Sequence, residues 1–309
     1  MRFRQIGTSF LVVTESIEEQ DRFEATLKAH IAAQAKPVEI DPADILLHAS
    51  ATVPFAAQEG YHLQALGAAR PVQEIPEEGI KSTQLQNGDS LRFGKTPDPK
   101  NPARRVLLLQ VHKNDKTTSG GKRCELRAQN NIEHEKVYWI AFSAYVYDWG
   151  ELSKSDEAVF GVQLHQGNDA LKVGGPAFGL YTRQTGRVFR VRGRFSESPT
   201  PSADNAKNVE FADQPMPFDR WADFVLKFKQ NTKGEGLLQA WMDGAQIADY
   251  QGSLGYTTGQ NDYIKFGYYN WSLSAMGSSP RKVLLRSPVI VADRAGYTQE
   301  MFRSLVNKE

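Results

Sequence analysis

The chain has 309 residues, enough to bury a large core, and its 40% hydrophobic and 24% charged residues are those of an ordinary globular protein. A net charge of +1 argues against a partner chosen by bulk electrostatics, nucleic acid included, and the single cysteine, Cys124, excludes an intramolecular disulfide framework or a multi-cysteine zinc site. No run has the length and apolarity of a membrane span. The charge is uneven, with 9 Lys/Arg against 13 Asp/Glu in residues 1–95 and 28 against 23 in residues 96–309, so the later part is the expected binder of a polyanion.

The opening MRFRQIGTSFLVVTES has basic residues and a short apolar run, but Thr14, Glu15 and Ser16 break that run without a convincing cleavage site. It reads as a folded strand rather than a secretion signal. Ser16 followed by Glu19 fits a capping box, and Ile17, Phe23, Leu27 and Ile31 form an apolar stripe that predicts a helix over 17–34. Asp41-Pro42 begins a short segment that suits another helical turn, and residues 50–80 read as loops and short extended pieces with Pro54, Pro71 and Pro76. Residues 1–80 carry no chemical motif and are expected to form an accessory region of unassigned role.

From residue 81 the apolar period changes to two. RRVLLLQVH, KVYWIAFSAYVYDW, AVFGVQL, RVFRVRGRF, WADFVLKFKQ, LLQAWMDG, NDYIKFGYYNW and KVLLRSPVIVA read as strands between turn-forming connections. So many strands without an intervening long helix predict an all-β fold over 81–309, an antiparallel sandwich or jelly roll. Asp243-Gly244 fits a tight hairpin turn, and YTQEMFRSLVNK suits a short terminal helix.

Side chains alternate across a strand, so RCELR puts Arg123, Glu125 and Arg127 on one face and Cys124 and Leu126 on the other. Three charged groups do not enter a dry core cheaply, whereas an open concave sheet holds them as a hydrated, paired array. A solvent-facing strand with ordinary ion pairs is the alternative. In GVQLHQG, Gln163 and His165 share a face, an amide able to donate to a carboxyl oxygen beside an imidazole able to move a proton near neutrality; a buried structural histidine is the competing reading.

YIKFGYYNW sets Tyr263, Lys265, Gly267, Tyr269 and Trp271 on one face. Gly267 would leave room for a ligand close to the backbone, and a lysine near a phenol favours phenolate, which would fit Tyr269 for proton transfer. An aromatic core strand would show the same residues. RVFRVRGRF aligns Arg190, Arg192 and Arg194, suited to successive carboxylates or sulfates of a linear polymer, though phosphate would satisfy them too. Trp241 reads either as a sugar-stacking surface or as a core anchor.

RCELR, QLH and YIKFGYYN occur in the same order as the RxExR, QxH and YxKxGxY motifs of the alginate lyases built on a short β-jelly roll. The chain resembles these polyuronate-cleaving lyases over about residues 80–295, and the later WMDG hairpin is similar to the group containing glucuronan lyases and heparin lyase I. The resemblance implies endo-acting β-elimination on an acidic polysaccharide, glucuronan-like or alginate-like. Gln163 and Arg127 would meet the substrate carboxylate, and His165 would take part in proton removal or carboxylate neutralisation. Tyr269 would act as acid, or as base and acid, with Lys265 tuning it or holding the sugar. Arg123, Glu125, Arg190, Arg192, Arg194, Tyr263 and Trp271 would bind substrate.

No redox cofactor or required metal is implied, although a structural calcium would suit the loops. The substrate class favours an extracellular or periplasmic place of action. Two other readings stand beside this one: a non-catalytic carbohydrate-binding sandwich, and a glycoside hydrolase, which lacks the close ExDxxE-type carboxylates that hydrolysis would use.

Overall fold

The structure is a computed structural model. It describes residues 38–49 and 91–307, with breaks at 119, 130, 151–157, 169–172, 184–185 and 272–278, together with 22, 26 and the backbone of 2–6, 9–13, 62–65, 68–71 and 80–81. The chain divides into two units, Met1–Ile40 and Asp41–Glu309. In the first, β1 (Arg2–Ile6) and β2 (Ser9–Val13) pair as an antiparallel hairpin. Of the helix predicted over 17–34, Arg22 and Thr26 are described and helical, the Thr26 hydroxyl donating to the Arg22 carbonyl at 2.8 Å. The rest of that prediction lies outside the described residues.

The second unit begins with a 3-10 turn, Pro42–Asp44, where the Asp41 carboxylate accepts from the Ala43 N–H and proline occupies the first helical position. The strands follow as β3 (Ile45–His48), β4 (His62–Ala65), β5 (Ala68–Pro71), β6 (Ile80–Lys81), β7 (Leu91–Asp98) and β8 (Asn101–Val111). Next come β9 (Lys122–Arg127), β10 (Val137–Val146), β11 (Ala158–His165), β12 (Phe178–Arg183), β13 (Val188–Phe195), β14 (Lys207–Glu210) and β15 (Gln214–Pro215). The last are β16 (Trp221–Lys229), β17 (Asn231–Met242), β18 (Ala245–Leu254), β19 (Tyr263–Asn270) and β20 (Arg281–Ala292), followed by helix α1 (Gln299–Asn307).

These strands make two antiparallel sheets among the described residues. Sheet I runs β18-β17-β16-β10-β20-β8-β7-β6 with β3 also on β20, and sheet II runs β14-β13-β12-β11-β19-β9-β4-β5 with β15 on β13. Residues 41–80, grouped with the accessory region on sequence grounds, therefore supply strands to both sheets, and the division at Ile40 falls well before the expected boundary. The all-β jelly-roll reading holds. Asp243 and Gly244 turn between β17 and β18 with φ of 53° and 89°, the two positive values of the tight hairpin expected there.

The two sheets are joined by the apolar half of each alternating strand. Phe266 of β19 meets Phe142 of β10 edge-on at 5.8 Å, and Phe178 of β12 meets Phe228 of β16 at 4.9 Å. Cys124, Leu126, Val162, Leu164, Ile264 and Phe266 all enter this core. The polar residues that alternate with them are thereby turned to the outer face of sheet II. Trp241 is in neither predicted place: it stacks at 6.0 Å on Trp139, which is in turn stacked on Phe302 of α1.

Candidate active site

Three segments far apart in sequence become neighbours because sheet II orders them β11-β19-β9. The register aligns Gln163 with Lys265 and Lys265 with Arg127, His165 with Tyr263, Gly267 with Glu125, and Tyr269 with Arg123. Gln163, His165, Lys265, Tyr269 and Arg123 line one cleft of about 560 Å³. Tyr263, Trp271, Arg192 and Arg194 also line it, with residues 174–176 forming part of its wall. The amide, imidazole and phenol singled out on sequence thus share one cavity, together with four cationic side chains.

Glu125, expected to bind substrate, is 1% exposed and is not among the residues lining the cleft. Its carboxylate accepts from Arg123 Nη1 at 3.1 Å and from Gln163 Nε2. Gln163 is itself 1% exposed, and its Oε1 has no hydrogen-bond partner among the described residues. Arg123 also donates through Nε to the Thr118 carbonyl at 2.9 Å, while its guanidinium lies 3.7 Å from the centre of the Tyr269 ring.

Tyr269 feels opposed influences. Burial raises its pKa above the usual phenol value, and the Arg123 guanidinium pulls it back. The cation on the Tyr269 ring is Arg123; Lys265, expected to tune Tyr269 or hold the sugar, sits beside Tyr263, its Nζ 5.4 Å from that ring. His165 stacks on Tyr263 at 5.3 Å with Nδ1 3.1 Å from the Tyr263 hydroxyl. Burial first, and then the positive charge of Lys265, holds its pKa down to about 3, so the imidazole is neutral across ordinary pH.

Other expected residues fall differently. Arg127 does not line the cleft; its guanidinium stacks 3.8 Å from the Tyr263 ring. Arg190 is also outside the lining set, held by the carboxylates of Asp213 at 2.6 Å and Glu210. Gly267 does not open space for a ligand. Its φ is 142°, and a Cβ there would lie 2.2 Å from the Cys124 carbonyl oxygen and 2.9 Å from the core side chain of Leu109, so the glycine serves close strand approach.

Sequence reasoning missed β12, whose Tyr181 lines the cleft beneath the Arg192 guanidinium, 3.6 Å from the ring centre. The alternation in FGLYTR was the available signal, masked by the glycine-rich run before it. Also missed was the support behind Tyr269: a Cβ on Gly121 would fall 2.2 Å from the Tyr269 ring, so Gly121 lies directly against it. Nothing in the sequence marks that contact, since it joins the connection before β9 to a strand far along the chain.

Among the described residues, no group of three His, Cys, Asp or Glu side chains is arranged to hold a metal, and no helix is long and apolar enough to cross a membrane. No curated protein sequence matches the chain. The crystal structure of an endo-β-1,4-glucuronan lyase from the fungus Trichoderma reesei superposes with a TM-score of 0.57 and 13% identity, over 76% of this chain and 95% of that one. An alginate lyase from Pseudomonas aeruginosa aligns at 18% identity over 76% of this chain and 99% of that one, with a TM-score of 0.46. The first likeness bears on the fold alone, and it is the two-sheet architecture already described. A polysaccharide lyase family model matches residues 77–287, and the chain belongs to that family.

Proposed function

We propose that the protein cuts uronate-containing polysaccharide within the chain by β-elimination, leaving an unsaturated uronate at the new end. The observation that carries this reading is the convergence of Gln163, His165 and Tyr269 on one cleft lined also by Arg123, Lys265, Arg192 and Arg194. A polyanion fits that lining, and a C5 carboxyl group is the unit whose chemistry needs it. Removing the C5 proton pushes an electron pair into the carboxyl group, and the second charge that develops there must meet donors already in place. Gln163 and the cations Arg123 and Lys265 supply them in this reading.

His165, with a pKa of about 3, is a feeble proton acceptor. We therefore assign both transfers to Tyr269. Its phenolate, favoured by the guanidinium on its ring, takes the C5 proton. The electron pair then returns from the carboxyl group to form the C4–C5 double bond, the C4–O4 bond breaks, and the Tyr269 hydroxyl gives its proton to the departing O4. One group serves both steps only where the C5 proton and O4 lie on the same side, as in glucuronate and mannuronate. Neutral His165 then contributes a hydrogen bond rather than a charge. Glucuronan-like and mannuronate-rich alginate-like polymers are the substrates of this proposal, the mechanism uses protein groups only, and such substrates put its place of action outside the cell or in the periplasm.

The test offers purified protein to glucuronan, polymannuronate, polyguluronate and heparin-like chains, with absorbance followed near about 235 nm, where the conjugated product absorbs, and ends read by mass spectrometry. Turnover should rise with pH through the alkaline range as Tyr269 ionises, since burial holds its hydroxyl above the usual phenol value, and Tyr269→Phe should lower kcat by about 10²- to 10⁴-fold with folding intact. Near-normal turnover in the Phe variant rejects its role. Products carrying added water indicate a hydrolase, and binding without cleavage indicates a carbohydrate-binding module.

A further inference from the structure

Three charged side chains were expected to greet substrate from β9, yet the central one is buried and occupied. Glu125 faces Gly267 across the β9–β19 pair, with Arg123 and Arg127, two residues to either side, aligned with Tyr269 and Lys265. One oxygen accepts from Arg123 and the other from Gln163. Each partner lines the cleft, and Glu125 does not. We propose that Glu125 is a positioning residue, a buried carboxylate that fixes both the orientation of the Gln163 amide and the seat of the Arg123 guanidinium on the Tyr269 ring.

An amide end on its own can present oxygen or nitrogen with little preference. A carboxylate oxygen accepts and does not donate, so beside Glu125 the Gln163 amide must turn its Nε2 inward. That commits one N–H to the protein, leaves the other for substrate, and fixes Oε1 on the opposite side, where it finds no partner among the described residues. A buried acceptor left unmatched is costly, and a donor arriving with the sugar, such as a hydroxyl, would relieve it. The same carboxylate bonds one arm of Arg123, whose Nε is fixed by the Thr118 carbonyl. Held at two points, the guanidinium has little freedom to slide from the ring it covers.

A carboxylate is also a strange choice for a cleft meant for polyanions. Burial behind Arg123 resolves this, since the charge is paired and screened from the substrate while its geometry is retained. Glu125 itself opposes ionisation of Tyr269 but holds the guanidinium that more strongly favours it, so its loss should be visible in the pH response as well as in rate.

The inference rests on the proposed roles of Gln163 and Tyr269, and the experiment separates the two. In Glu125→Gln, kcat at the alkaline plateau should fall by about 10- to 100-fold with KM little changed, the scale expected when reacting groups are misplaced by about an ångström. The rise of kcat with pH should move to higher pH, because Arg123 acts on Tyr269 more strongly than Glu125 does and is released from the ring. General loosening would instead expose the phenol and move the rise the other way. Gln163→Ala should lose turnover too, and Glu125→Gln added to it should cost less than it does alone.

Unchanged kcat and pH response in Glu125→Gln overturns the proposal, as do fully additive losses. If Gln163→Ala and Tyr269→Phe both retain normal turnover, the reading of the site has failed instead. Positioning is then still decided by the NMR resonances of the Gln163 side-chain NH₂ and the Arg123 Nε–H. Both should shift and lose exchange protection in Glu125→Gln, and unchanged signals reject the role. Should that variant fold poorly, Glu125→Asp, which keeps the charge but shortens the reach, should show the kcat loss with a smaller shift in the pH response.

Discussion

His165 illustrates how surroundings overrule a side chain's ordinary chemistry. Free histidine titrates in the neutral range, but partial burial beside Lys265, with Arg123 and Arg127 farther down the order of influence, keeps the folded-state imidazole neutral to about pH 3. The unfolded chain binds this proton near pH 6.5, so below that value unfolding takes up a proton and stability falls with pH until about 3. His165→Asn cannot take up this proton. The wild-type melting temperature should therefore drop more steeply than the variant's between pH 6.5 and 3, and parallel curves would show that the imidazole titrates normally. No acid limb of kcat near pH 6.5 is expected from this residue.

At the scale of strands and loops, the site depends on elements that never touch substrate. The connection from β8 to β9 is tied down by Arg92, which donates to both oxygens of Asp115 at 2.8–3.0 Å, and Asp115 also accepts the His112 N–H at 2.9 Å. This connection supplies the Thr118 carbonyl that fixes Arg123 and the Gly121 surface behind Tyr269. Asp115→Ala would strip a buried guanidinium of its carboxylate and should destabilise the fold by about 3–5 kcal/mol in urea unfolding. Less than about 1 kcal/mol would mean that the ion pair is dispensable.

The β9–β19 pairing makes a similar demand at Gly267. Its φ of 142° disfavours any side chain, and a Cβ would strike the Cys124 carbonyl at 2.2 Å. Gly267→Ala should cost about 1–3 kcal/mol by the same measurement. A neutral effect would show that the two strands can part without loss. The period-two pattern located these strands well, but it could not reveal which glycine serves a ligand and which serves a neighbouring backbone, because that depends on the partner strand.

Across the whole molecule the net charge is +1, whereas the cleft gathers Arg123, Lys265, Arg192 and Arg194. Attraction for a polyanion is therefore local, and salt should weaken it. Raising NaCl from about 50 mM to about 500 mM shortens the screening distance from over ~10 Å to under ~8 Å and should raise KM several-fold while altering kcat far less. A KM indifferent to salt would mean that these cations do not hold the chain.

The sequence by itself determined the sandwich and its two-faced strands, since alternation decides which side chains can be buried wherever a strand lands. It also nominated Gln163, His165 and Tyr269, because polar groups on otherwise core-forming strands need an open face. Only the tertiary structure decided what those groups meet. Strand order and register are long-range properties, and they seat Arg123 on Tyr269, send Lys265 toward His165, hide Glu125 beneath the cleft and divert Arg190 to Asp213 and Glu210. Charge and hydrogen bonding act over a few ångströms of space, and distance along the chain does not encode them.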